Sequence, residues 1–274
     1  LCARGAHAVI GARSKAKGDG AIQHVKEHVP NASVSAVVLD LTDPESVAAC
    51  AATVIENHPQ LDALICNAGV MQPPLLRTSE GFELQIGTNH LGHFRLAAAL
   101  YPHLVKSEGR IVAVSSIAHH QGSINLDDLQ SEKSYNSTTA YSQSKLANLM
   151  FAFELHRRLV AAKSPVMSIP CHPGYSATNL QSAGVGMDGG SGFFKYLYKV
   201  TNALMAQSAE RGAYPLALAA ADPTAEPGVY YGPTGIGDMG GKVGKSGVAK
   251  RARDEEVGRK LWELSEKLVG PFPI

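Results

Sequence analysis

The chain has 274 residues, 45% of them hydrophobic and 18% charged, with a formal net charge of +1. That length carries one large buried core without forcing a second domain, because α/β folds often run past about 200 residues undivided. The near-neutral balance, with no Lys/Arg-rich run, argues against nucleic acid as a partner, and no apolar run reaches the roughly 18 residues of a membrane span.

Short apolar runs alternate with stretches of helical periodicity, the pattern of βαβ units around a parallel sheet. His7 to Ala12 and Val34 to Leu39 read as the first two strands. Asp43-Pro44-Glu45 supplies an N-cap, an N1 proline and a first-turn acid for a helix with Val47, Cys50, Ala51, Val54 and Ile55 on one face, stopping near Asn57 and Pro59. Leu61 to Cys66 is the next strand, Glu80 to Leu104 a helix, Ile111 to Val114 a strand, Thr138 to Val160 a helix and Val166 to Ile169 a strand. A last amphipathic helix lines up Val257, Leu261, Leu264 and Leu268. No repeat or low-complexity segment divides the chain, so residues 1–274 read as a single domain. The four cysteines, Cys2, Cys50, Cys66 and Cys171, form no C-x-x-C pair, which fits reduced thiols and a cytoplasmic location.

Tyr141 and Lys145 lie four apart in a predicted helix, so their side chains share a face. An adjacent ammonium favours phenolate and is expected to pull the phenol below its reference value of about 10, making Tyr141 a general acid or base. The strand before them ends in Ser115-Ser116, at the carboxyl edge where parallel sheets place binding groups, and a serine there can hold a substrate oxygen. Asn67-Ala68-Gly69 closes another strand on small residues, which lets an extended ligand approach the backbone. Asn89 sits inside the next helix, where a buried amide needs a polar network.

On these motifs the chain resembles the short-chain dehydrogenase/reductase superfamily, and within it the retinol-dehydrogenase-like, NADP(H)-preferring branch, over nearly its whole length. Asn67-Ala68-Gly69 is similar to the family's N-A-G turn, Asn89 to its catalytic asparagine, Ser116 to its catalytic serine, Tyr141 and Lys145 to its Y-x-x-x-K, and Pro173-Gly174 with Thr178 to its P-G-x-x-x-T segment. The phrases from Asn89 to Phe94 and from Ser144 to Asn148 point to the retinol-dehydrogenase-like branch. The resemblance implies an α/β fold with a doubly wound parallel sheet, Rossmann-like and three-layered (α/β/α). It implies hydride transfer between NADP(H) and an apolar carbonyl or alcohol, retinoid-like, steroid or a simple aldehyde or ketone. In that reaction Ser116 and Tyr141 hold the oxygen and Tyr141 supplies the proton. Lys145 binds the nicotinamide ribose, Asn89 positions a proton-relaying water, and Pro173, Gly174 and Thr178 orient the nicotinamide. Arg13, after the strand ending Gly11-Ala12, stands where an acid would accept the ribose 2′-OH of NAD, and so predicts pairing with the 2′-phosphate of NADP. Asp40 and Leu41 are expected beside the adenine. A homo-oligomer is compatible with the sequence.

The family's first strand and glycine-rich turn are not in the chain, which begins at what resembles the end of the first helix, Leu1 to Gly5. The sheet is therefore expected to split between the family's second and fourth strands and to leave unpaired edges, and the sequence to be part of a longer chain, the rival being a genuine truncation with lost activity. Ala118 to Thr139 lengthens the path from Ser116 to Tyr141, and Gly184 to Met205 reads as a substrate lid with Phe193, Phe194, Tyr196 and Tyr198. Two other readings compete. His24, Glu27 and His28 spell H-x-x-E-H, a zinc-hydrolase signature, although on the dehydrogenase reading they lie on an outer helix far from Tyr141. The other is a binding protein that keeps the NADP(H) fold without turnover, against which the complete set Asn89, Ser116, Tyr141 and Lys145 argues.

Overall fold

Strands and helices alternate as the apolar pattern predicts in a computed structural model that describes residues 1–175 and 208–274. Thr178 and the stretch from Gly184 to Met205 lie outside the described residues. The strands are β1 (Ala8–Ala12), β2 (Val34–Val38), β3 (Ala63–Cys66), β4 (Arg110–Val114), β5 (Met167–Cys171), β6 (Tyr231–Pro233) and β7 (Val243–Lys245). The helices are α1 (Lys15–His28), α2 (Pro44–Asn57), α3 (Leu84–Ile86), α4 (Gly92–Lys106), α5 (Ser137–Ala161), α6 (Ala209–Ala221) and α7 (Glu255–Val269). Side-chain caps start the long ones. Asp43 accepts from the Glu45 N–H at 3.0 Å, Asn136 from the Thr139 N–H at 2.9 Å, and Asp254 from the Val257 N–H at 3.1 Å.

The sheet is in two parts. β1 and β2 pair in parallel as a two-stranded unit, and β3-β4-β5-β6-β7 forms a five-stranded sheet. β1 and β3 share no ladder among the described residues, which is the division expected from the sequence. The five-stranded sheet is parallel up to its edge, where β7 pairs antiparallel with β6. Burial follows the pairing. Central β4 is buried over four of its five residues, whereas Val38 of β2 is 50% exposed.

The strand period of two builds the three layers. Ile111 and Ala113 of β4 face a core shared with α2, α4, α5 and α7, where Phe94, Phe151 and Trp262 pack. Val112 and Val114 face the opposite core, with Ile169 and Ala219 and Ala220 of α6. No helix among the described residues is long and apolar enough to cross a membrane.

The helix read as starting at Glu80 starts at Leu84. Glu83 caps it, its carboxylate accepting from the Gln85 and Ile86 N–H groups at 2.9 and 2.8 Å. From Gly87 to Leu91 the same helix opens into a π-turn before continuing as α4, and Asn89 lies at its middle. Single π-turns inside α-helices are frequent at functional sites.

Candidate active site

The turn of α5 that carries Tyr141 and Lys145 is fastened to the end of β4. Ser115 Oγ donates to the Lys145 carbonyl at 2.7 Å, while Lys145 Nζ and Asn148 Nδ2 donate to the Val114 carbonyl at 3.3 and 3.1 Å. These bonds distinguish the two serines. Ser115 is 2% exposed and committed to α5, whereas Ser116 is half-buried and its hydroxyl favours the charged form of the Tyr141 phenol. Ser116 Oγ also accepts from the Ala118 N–H at 3.2 Å, so it caps the short 3-10 turn Ile117–His120.

The electrostatics correct one expectation. Burial raises the Tyr141 phenol, and the Ser116 hydroxyl only partly opposes it. The Lys145 ammonium does not pull it down: Nζ lies 5.9 Å from the ring centroid and bonds to Val114 instead. Burial in turn drives the Lys145 amine down to about 8. A phenol held protonated suits a proton donor.

Asn89 is fully buried, in the polar network its position in the helix demands. Its Oδ1 accepts from the Val70 N–H at 2.8 Å, and its Nδ2 donates to the Val70 carbonyl and to Ser144 Oγ, both at 2.9 Å. Ser144 Oγ donates to the Tyr141 carbonyl at 2.8 Å, so the asparagine ties the turn after β3 to the turn of α5 that carries Tyr141 and Lys145. Gly69 is required here by a close approach, since a Cβ on it would stand 2.9 Å from Asn89 Oδ1 and 3.6 Å from Lys145 Nζ.

The other candidate residues lie just past the ends of β1, β2, β3 and β5. Asn67 and Ala68 are exposed where β3 ends. Pro173 and Gly174 follow β5, with Gly174 at φ 73°, a left-handed conformation that favours glycine. Asp40 holds its own loop, accepting from the N–H and hydroxyl of Thr42 at 2.9 and 2.7 Å, and Leu41 is buried against Gly92. Arg13 is exposed just after β1 and has no side-chain partner among the described residues.

Comparison with known proteins identifies the family. The family model for the short chain dehydrogenase matches residues 1–185. The chain belongs to that family. Human "Retinol dehydrogenase 14" is 36% identical over 97% of this chain and 80% of its own length. An uncharacterized protein from Mycobacterium Paratuberculosis, known by its crystal structure, is 38% identical with a TM-score of 0.78, over 100% of this chain and 88% of that one. A short-chain dehydrogenase from Sphingobium yanoikuyae in complex with NADPH is 26% identical with a TM-score of 0.52, over 68% of this chain and 67% of that one. This member of the short-chain dehydrogenases is therefore an oxidoreductase with a Rossmann-like sheet.

The zinc signature lies elsewhere. His24, Glu27 and His28 bring their ligand atoms within 4.8 Å of one another, but all three are exposed on α1, which packs on β1 and β2. Sequence reasoning also passed over two residues that the structure places directly under the site. His119 hydrogen-bonds to the Ser116 carbonyl and His172 to the Gly174 N–H. The signal was available: one follows Ser116 by three positions, and the other immediately precedes Pro173-Gly174.

Proposed function

We propose that the protein is an NADP(H)-dependent oxidoreductase that interconverts an apolar, retinoid-like alcohol and its carbonyl compound. The observation that carries this reading is the meeting of Ser116, Tyr141, Lys145 and Asn89 at the carboxyl edge of β4, with a protonated phenol beside a serine hydroxyl.

The residues present fit a nicotinamide dinucleotide. Lys145 is a buried ammonium with three donors and, among the described residues, a single acceptor, the Val114 carbonyl, so ribose hydroxyls would complete its hydrogen bonding. When bound, the nicotinamide supplies or accepts the hydride. Ser116 and Tyr141 then bind the substrate oxygen, and Tyr141 Oη gives up its proton as the carbonyl is reduced. Asn89 keeps the turn after β3 and the catalytic turn of α5 in register, and Pro173 and Gly174, with Thr178, orient the nicotinamide.

The choice of NADP rests on Arg13. A guanidinium without an acidic partner pairs readily with a 2′-phosphate, and the Sphingobium yanoikuyae relative is described with NADPH. An apolar substrate is supported by the human relative's name. A screen of retinoids, steroids and simple aldehydes, ketones and alcohols, with NADPH/NADP and NADH/NAD, tests both parts on the full-length protein. Arg13→Ala should raise KM for NADPH by about tenfold to a hundredfold, as expected for hydrogen bonds to a charged group, and leave KM for NADH almost unchanged. Equal losses with both cofactors would remove Arg13 from the cofactor site.

A further inference from the structure

Under Ser116 and the Pro173-Gly174 turn lie two histidines, each 1% exposed, that proton transfer itself does not use. The partners of each ring fix its tautomer. His119 donates from Nδ1 to the Ser116 carbonyl at 2.7 Å, and its Nε2 accepts from the Ala249 N–H at 3.2 Å. His172 is the reverse: Nδ1 accepts from the Gly174 N–H at 3.1 Å, and Nε2 donates to Ser246 Oγ at 2.8 Å. Both outer partners belong to the short segment that follows β7.

We propose that His119 and His172 are positioning residues, a brace that fixes catalytic Ser116 and the Pro173-Gly174 turn relative to each other through the shared segment Ser246 to Ala249. The inference rests on the oxidoreductase reading, which makes Ser116 the oxygen-binding group and Pro173-Gly174 the nicotinamide-orienting one.

Several features hold the brace in a single arrangement. The Tyr230 ring packs between the two histidines, its centroid 5.4 Å from His119 and 5.0 Å from His172. A Cβ at Gly232 of β6 would collide with the His172 ring, so that close approach requires glycine. Asp238 Oδ2 accepts from the Gly247 N–H at 3.0 Å, which fixes the shared segment from its other side. Burial lowers both imidazoles to about 4, with His120 opposing their charge and Asp238 favouring it. Both rings are therefore neutral at pH 7, and each keeps one donor and one acceptor. Protonating His119 would set its Nε2–H against the Ala249 N–H and break the link.

Amide side chains test the assignment, because asparagine places its polar atoms near Nδ1 and glutamine places its own near Nε2. His119→Ala and His119→Gln lack the donor to the Ser116 carbonyl and should lower kcat by about 100-fold, the scale of a misplacement of about 1 Å, with cofactor Kd unchanged. His119→Asn restores that donor and should recover most of kcat, even where its Tm falls as far as that of His119→Ala. His172→Ala and His172→Gln should raise the Kd for NADPH, and His172→Asn, whose Oδ1 can accept from the Gly174 N–H, should restore it. The proposal is overturned if activity follows Tm across each series without rescue by asparagine, or if the alanine variants match the wild type. A wild type that turns over no carbonyl or alcohol would instead remove the oxidoreductase reading. The brace is then judged by imidazole ¹⁵N shifts. An Nδ1–H ring at His119 with an Nε2–H ring at His172 upholds it, and the opposite tautomers overturn it.

Discussion

Lys145 is an ammonium placed where its charge is disfavoured, 3% exposed and bonded to one carbonyl. Burial holds its amine near 8 in the fold, against the ordinary lysine value of about 10.5 in the unfolded chain. Between those two values the unfolded chain binds the additional proton, so the Lys145 contribution to stability rises with pH through that window. Below pH 8 both states are protonated and the full cost of the buried charge remains. Lys145→Met should therefore be more stable than the cofactor-free wild type at pH 7, with an advantage that shrinks as pH rises towards 10. Denaturant midpoints of the two proteins across that range check this, and parallel curves would refute it. At this scale much of the site was legible in the sequence, because Tyr141, Lys145, Ser116 and Asn89 combine residue type with a position on a strand end or helix face. His119 and His172 stand beside motif residues in the sequence, but their outer partners, Ala249 and Ser246, lie 130 and 74 residues further along, so their bracing contacts leave no local mark.

Elements differ in how firmly they are held. β1 and β2 pair only with each other among the described residues, and α1 buries only Gly18, against Ala36 of β2. β4 and β5, by contrast, are paired on both sides and covered by α5 and α6. Amide hydrogen exchange should accordingly be faster in β1, α1 and β2 than in β4 and β5, because units with little buried apolar surface open at lower free energy. Equal protection across both parts would contradict this. The five strands read from the sequence all exist, because Val- and Ile-rich runs are long enough to show a period. β6 and β7 span three residues each, too few to show one, and α6 carries Pro215 within a run of alanines that has weak periodicity. The π-turn at Asn89 was invisible too, since an extra residue in a helical turn leaves no mark in apolar spacing.

Across the whole molecule, the candidate residues lie just past the carboxyl ends of the strands. β1 and β2 present Arg13 and Asp40, while β3, β4 and β5 present the Asn67 to Gly69 turn, Ser116 and Pro173-Gly174. The class of fold was legible because alternating strand and helix patterns admit few architectures, and the division of the sheet followed from comparing the chain with the family pattern. The antiparallel edge strand was not legible, because its direction depends on the loop that precedes it. The central claim is that this architecture delivers a protonated Tyr141 to a substrate oxygen. It is tested most directly by the turnover of Tyr141→Phe with NADPH and a carbonyl that the full-length wild type reduces. The account predicts that kcat falls by about 100-fold to 10,000-fold while NADPH binding is retained, and a phenylalanine variant that reduces the carbonyl as fast as the wild type would contradict it.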